Sequence, residues 1–140
     1  MIPDQSPFIL TIPSDLCQLA GARAFVTAVC QAVGGDPVTA DNLALAAHEA
    51  IANVIRHAHR HRAEVPVQIR CLPCQGGIEI HILDEGEPFD LAAVPHLDPA
   101  ELRVGGRGVF LMRCLTDEIT CQRRGERGNV LRLVKRWPAP

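Results

Sequence analysis

The 140-residue sequence has no stretch of the roughly 18 or more apolar residues that a membrane-spanning helix requires, so a membrane span is excluded. It has little excess of either charge sign. Of fourteen basic residues only Lys135 is a lysine; the arginines are scattered and matched by sixteen acids, for a net charge of −2. That leaves no basic footprint for direct nucleic-acid binding. Met1 to Leu10 contain Asp4 and prolines instead of a basic start and an apolar run, so no secretory leader is expected. Six cysteines are present, but Cys71-Leu-Pro-Cys74 has no second pair to complete a zinc site. The following Gln75-Gly76-Gly77 reads as a turn, not as the helix that a thioredoxin-like CxxC opens. The expectation is free structural thiols in a cytoplasmic protein. Internal repeats, low-complexity tracts and linkers are absent too. What remains is 47% hydrophobic and 21% charged, enough to bury one core, and one domain over residues 1–140 is expected.

The hydrophobic period changes along the chain. Phe8 to Ile12 is apolar and β-prone, Pro13 ends it, and Ser14 or Asp15 can cap a helix through Leu16, Leu19, Ala20, Phe25, Val26 and Val29. Gly34-Gly35-Asp36-Pro37 stops that helix. Thr39 is the predicted cap of a second, from about Ala40 to His59, with Leu43, Ala46, Ala50 and Val54 on one face. From Val65 the period becomes two: Val67, Ile69 and Cys71, a turn over Pro73 to Gly77, then Ile78, Ile80 and Ile82. Glu85 to Arg107 is too long for an ordinary connection and reads as a functional loop. A short helix over Gly108 to Cys114 and strands over Glu118–Arg123 and Asn129–Lys135 follow. The order β-α-α-β-β-loop-α-β-β predicts an α/β two-layer sandwich, a mostly antiparallel mixed sheet covered on one face by about three helices.

Three polar sites stand out from this pattern. Glu49 and Asn53 share a helical face, extended by Arg56 and His57, among Ala, Ile and Val. Taken alone, such a pair is more often a solvated face. Asp84, in Asp84-Glu85-Gly86, continues the row of Ile78, Ile80 and Ile82, where an acid is costly unless it accepts hydrogen bonds; locally an Asp-Gly turn cap explains it equally. Gly105-Gly106-Arg107-Gly108 runs into an apolar helix, suiting either phosphate oxygens at freed N–H groups or a hinge. Neither a Walker A loop nor a dinucleotide-binding fingerprint is present. The histidines 57, 59, 61, 81 and 96 have no metal spacing; the His57-x-His59-x-His61 run reads as complementing a helix dipole.

Glu49-x3-Asn53, Asp84-x-Gly86 and Gly106-x-Gly108, in this order and with this element pattern, resemble the three nucleotide-binding boxes of the GHKL (Bergerat-fold) ATPases. The phrases HEAIANVIRHA, DEGEPFD and GGRGVFLM resemble the bacterial anti-sigma factor serine/threonine kinases, over about Phe8 to Lys135. The resemblance implies that Glu49 is the general base, that Asn53 holds Mg²⁺, and that Asp84 reads the adenine amino group while Gly86 gives the base room. It implies that Gly106 and Gly108 wrap the ATP phosphates, that Gly105, Arg107, Val109, Phe110, His57 and Asn129 belong to the ATP-binding site, and that Glu85–Arg107 is a lid. Two positions depart from the broader pattern: Pro88 stands where a second glycine is common, and Asn129 where a threonine is common. The implied partners are a STAS-type anti-sigma factor antagonist and a sigma factor, with a homodimer as the assembly. An ATP-holding module that sequesters a partner without catalysis is the alternative, disfavoured by Glu49. The catalytic domain of a histidine kinase is a third, disfavoured because only 38 residues precede the second helix.

Overall fold

A computed structural model describes residues 6–88 and 107–138. In chain order these form β1 (Phe8–Pro13), α1 (Leu19–Ala32), α2 (Pro37–Asn53), β2 (Pro66–Cys74), β3 (Gly77–Leu83), α3 (Arg107–Leu115), β4 (Glu118–Arg123) and β5 (Asn129–Arg136). The five strands make one sheet in the order β1-β2-β3-β5-β4. Every ladder is antiparallel, so the expected mixed sheet is corrected to an antiparallel one among the described residues.

Strand parity assigns the faces. Ile12, Val67, Ile69, Cys71, Ile78, Ile80, Ile82 and Leu133 are buried against the helices. On the opposite face, Glu79 joins His81 and Arg132 in a charge cluster. Helix α2 runs across the middle of the helical layer and packs on both α1 and α3. Leu43, Ala46, Ala50 and Val54, the expected helical face, are all buried. In α1, by contrast, Ala20 is exposed, and Ala22 and Cys30 supply the contacts instead.

Several boundaries move, each for a local reason. Asp15 caps a 3-10 turn over Leu16–Gln18 ahead of α1, accepting from Cys17 N–H. Ser14 is not a cap; its hydroxyl turns inward to residue 59. Asp36, not Thr39, caps α2: its carboxylate accepts from Thr39 N–H at 2.7 Å, with Pro37 opening the helix. The second helix does not continue as an α-helix to His59. Beyond Asn53 it widens into a π turn over Val54–Ala58, closed by His59 N–H to Val54 O. Pro73 lies inside β2 opposite Ile78, so the hairpin turn is only Gln75-Gly76. Residues 71 and 74 therefore fall on opposite faces of one strand, and their thiols cannot converge on a metal. All six cysteines are free thiols, and burial pushes Cys30 up to about 11 and Cys71 up to about 12. Among the described residues no helix is long and apolar enough to cross a membrane.

Candidate functional site

Residues of the first two polar sequence sites, Asn53 with His57 and Asp84 with Gly86, line one cavity of about 630 Å³, and Val109 and Met112 of α3, just after the glycines of the third site, line it too. That volume is in the range of small-molecule sites. Its apolar wall is Ala50, Val54, Val109, Met112 and Leu131, of which Val109 and Met112 are almost fully buried.

At one end stands Asp84, buried at 6% exposure where β3 leaves the sheet. Its Oδ1 accepts three hydrogen bonds, from Gly86 N–H at 2.8 Å, Asn129 N–H at 3.1 Å and Asn129 Nδ2 at 3.0 Å. Among the described residues every hydrogen bond to this carboxylate falls on Oδ1, which leaves Oδ2 as an acceptor on a residue that lines the cavity. Two glycines make the arrangement possible. A Cβ on Gly86 would lie 2.6 Å from the Ala58 Cβ, so the glycine is demanded by contact with the π turn. Gly86 also lines the cavity. Gly128 adopts φ +93°, and a Cβ there would sit 2.1 Å from the Asp84 carbonyl oxygen. Asn129, implied to contribute to the nucleotide site, lines the cavity, and its side-chain amide donates to Asp84 Oδ1 and to Glu87 O at 2.7 Å, so it orients the carboxylate.

At the other end the first residues of α3 abut α2. A Cβ on Gly108 would come within 3.2 Å of both Asn53 Nδ2 and Glu49 Oε2, so the helix start, the amide and the acid lie together. Asn53 and the exposed His57 line the cavity, while Glu49 sits one turn earlier and half-buried. Val109 lines it too; Phe110 is half-buried and lies outside the lining. Arg107 opens α3. Gly105 and Gly106, with nearly all of the Glu85–Arg107 lid, lie outside the described residues, as does His96.

Among the other histidines, His59 departs furthest from expectation. It is 0% exposed, and burial pushes its pKa below the ordinary histidine value, so it does not complement a helix dipole as a cation. Arg56 and His57 are the basic residues of that last turn. The local pattern held no signal for this burial, because its partners Ser14 and Glu85 are 45 and 26 residues away.

The polar groups in and beside the cavity could each meet one part of a nucleotide. A buried carboxylate with one oxygen saturated and one open matches an exocyclic amino group. The start of α3 at the far end offers N–H groups to phosphate oxygens, and Asn53 adds a side-chain oxygen of the kind Mg²⁺ takes.

Comparison with known proteins bears on the family and the fold. The chain is 28% identical to the serine-protein kinase RsbW of Staphylococcus epidermidis, over 90% of this chain and 84% of that protein. It is 29% identical to the serine-protein kinase RsbW of Oceanobacillus iheyensis, over 79% of this chain and 75% of that one. Among solved structures, the RsbU and RsbW domains of a Mycobacterium tuberculosis protein superpose with a TM-score of 0.70 at 15% identity, over 97% of this chain. The histidine kinase domain of a blue-light activated histidine kinase from Erythrobacter litoralis superposes with a TM-score of 0.53 at 22% identity, over 89% of this chain. The chain spans 34% and 61% of those two structures, so the likeness concerns the fold of one part of each. The sequence model of the histidine kinase-like ATPase domain matches residues 12–135. On that match, which takes in every element from the end of β1 to β5, the chain belongs to the histidine kinase-like ATPase domain family.

Proposed function

We propose that this chain is an Mg-ATP-dependent protein serine/threonine kinase that acts as an anti-sigma factor, phosphorylating a STAS-type antagonist and sequestering a sigma factor. The observation that carries the reading is that Asp84, an acceptor for adenine, and Asn53 line one cavity, with Asn53 held beside Glu49 and Gly108 at the start of α3. The names of the relatives, serine-protein kinase RsbW, support the same reading.

In this reading Asp84 Oδ2 accepts a hydrogen bond from the adenine amino group, with Oδ1 tied down by Asn129 and Gly86. The N-terminus of α3, with Gly108 in its first turn and Gly105 and Gly106 preceding it in the sequence, takes the phosphates, and Arg107, Val109, Phe110 and His57 belong to the same ATP site. Asn53 holds Mg²⁺, which when bound neutralises phosphate charge. Glu49 accepts the proton of the attacking serine or threonine hydroxyl as the oxygen bonds to the γ-phosphorus and ADP leaves. Phosphoryl transfer asks a protein mainly for positioning and charge neutralisation, and one acid, one metal ligand and a helix start meet that demand. The residues form a single catalytic domain in the cytoplasm, where a sigma factor is met. The protein also forms a homodimer: β1 is a sheet edge with Phe8 and Ile9 exposed, a ready pairing surface. A monomer by light scattering at tens of micromolar would reject the dimer without touching the kinase.

The test is incubation with Mg-ATP and the STAS protein from the same operon, followed by mass spectrometry. A phosphorylated serine or threonine on that protein is the expected result. ATP and partner binding without any phosphoprotein would instead favour sequestration alone.

A further inference from the structure

We infer that His59, held in its neutral Nδ1–H tautomer, is a positioning residue for the adenine-reading loop Asp84-Glu85-Gly86, and that its protonation releases the loop. The inference rests on the nucleotide reading above.

His59 lies just past the π turn, with no exposed surface. Glu85 N–H donates to its Nε2 at 2.9 Å, so Nε2 carries no proton. Its Nδ1 lies 2.7 Å from Ser14 Oγ. The Ser14 hydroxyl proton is committed to Val65 O at 2.6 Å, so Ser14 Oγ is an acceptor and Nδ1 must be the donor. The two ends of the ring thus assign the same tautomer independently. The backbone N–H that Nε2 accepts belongs to the residue immediately after Asp84. One ring therefore ties the ends of β1 and α2 to the loop that carries the adenine acceptor. The Arg62 guanidinium also folds back onto the His59 carbonyl.

A second proton on the ring would make Nε2 a donor facing the Glu85 N–H, and that bond would be lost. The charged groups facing the ring are Asp84 and Glu85 from the end of β3, which favour its protonation, and Arg62 from its own loop, which opposes it. Ser14 and the Val65 carbonyl, from the β1 and β2 sides, are uncharged. Burial outweighs the two carboxylates and lowers the pKa. The sign follows. The unfolded chain's histidine takes up a proton near pH 6.5 while the folded ring refuses it, so stability falls as pH drops below about 6.5. Nucleotide affinity falls lower still, where the folded ring is protonated.

The test compares wild type, His59→Gln, His59→Leu and Ser14→Ala. Mg-ATP and Mg-GTP affinities are measured by calorimetry from pH 5 to 8, and the ring-nitrogen NMR shifts of His59 are recorded without nucleotide. Glutamine offers an acceptor at the Nε2 position and cannot titrate. It is expected to bind ATP like wild type at pH 7.5, and the ratio of wild-type to glutamine-variant affinity should fall toward acid pH. That ratio cancels the ionisation of ATP itself. Leucine should weaken ATP about tenfold and erode the preference for ATP over GTP, which partial unfolding would not do, since it weakens both alike. Should the leucine variant not fold, Ser14→Ala, which frees the Nδ1 proton, carries the same expectation at a smaller amplitude. A wild-type ring with its proton on Nε2, a flat affinity ratio, or an unchanged ATP preference in the leucine or alanine variant would overturn the inference. A wild type that binds no ATP but shows the Nδ1–H signature would overturn the nucleotide reading, and the positioning role with it.

Discussion

Replacing Asp84 by asparagine and by alanine separates what this residue does for the fold from what it does for a ligand. In the folded protein Oδ1 accepts from Gly86 N–H and from both the backbone and the side chain of Asn129. Alanine removes that acceptor. Gly86 N–H then loses its partner outright, at about 1–3 kcal/mol. The Asn129 donors lose less, because the backbone N–H also reaches Asp84 O at 3.3 Å and Nδ2 also reaches Glu87 O. Asp84→Ala should therefore cost about 2–3 kcal/mol of stability, a drop in Tm on the order of 10 °C for a domain of this size. Asparagine keeps a carbonyl oxygen at the Oδ1 position and all three bonds, so its stability should stay within about 1 kcal/mol of wild type. Its amide nitrogen, however, takes the place of Oδ2 and confronts the adenine amino group, donor against donor. ATP affinity should fall by about 1–3 kcal/mol, roughly 5- to 150-fold. Calorimetric titration with Mg-ATP and a thermal melt on the same samples read both quantities. The reasoning fails if Asp84→Asn binds ATP as wild type does, or if it melts as low as Asp84→Ala.

Three further outcomes follow from the same geometry. Glu49→Gln keeps the side-chain shape and removes the basicity; it should retain ATP affinity and antagonist binding while losing about 10²- to 10⁴-fold in phosphoryl transfer, and wild-type transfer in a single-turnover assay would exclude Glu49 as the base. Asn53→Ala should weaken ATP binding in the presence of Mg²⁺ but change it little in EDTA, since the lost oxygen matters only to the metal; equal losses in both conditions by calorimetry would remove Asn53 from the metal shell. Gly86→Ala should destabilise the protein by about 1–3 kcal/mol in urea unfolding, because its methyl would sit 2.6 Å from the Ala58 Cβ, and an unchanged midpoint would mean that the loop and the π turn part freely.

The sequence by itself determined the elements and their order, because each is written in a local period. The alternation of Ile78, Ile80 and Ile82 faces β3 to the core, and the row Leu43, Ala46, Ala50 and Val54 buries α2 as its spacing requires. It also made the polar sites legible, since Glu49 and Asn53 are one helical turn apart and Asp84 breaks an apolar row. Only the tertiary structure decided how those sites are held. Asn129 reads locally as a polar start to a strand, yet its amide orients Asp84 across 45 residues of sequence. Gly86 reads as a flexible turn residue, yet the helix packed against it is what excludes a side chain. The run His57, His59 and His61 reads as one basic helix end, but the π turn after Asn53 separates them: 57 and 61 are exposed, and 59 is sealed between Ser14 and Glu85. Helical and strand periods report which face of an element is apolar, whereas these hydrogen bonds and contacts join elements far apart in the chain, and their partners exist only once the sheet and helices have packed.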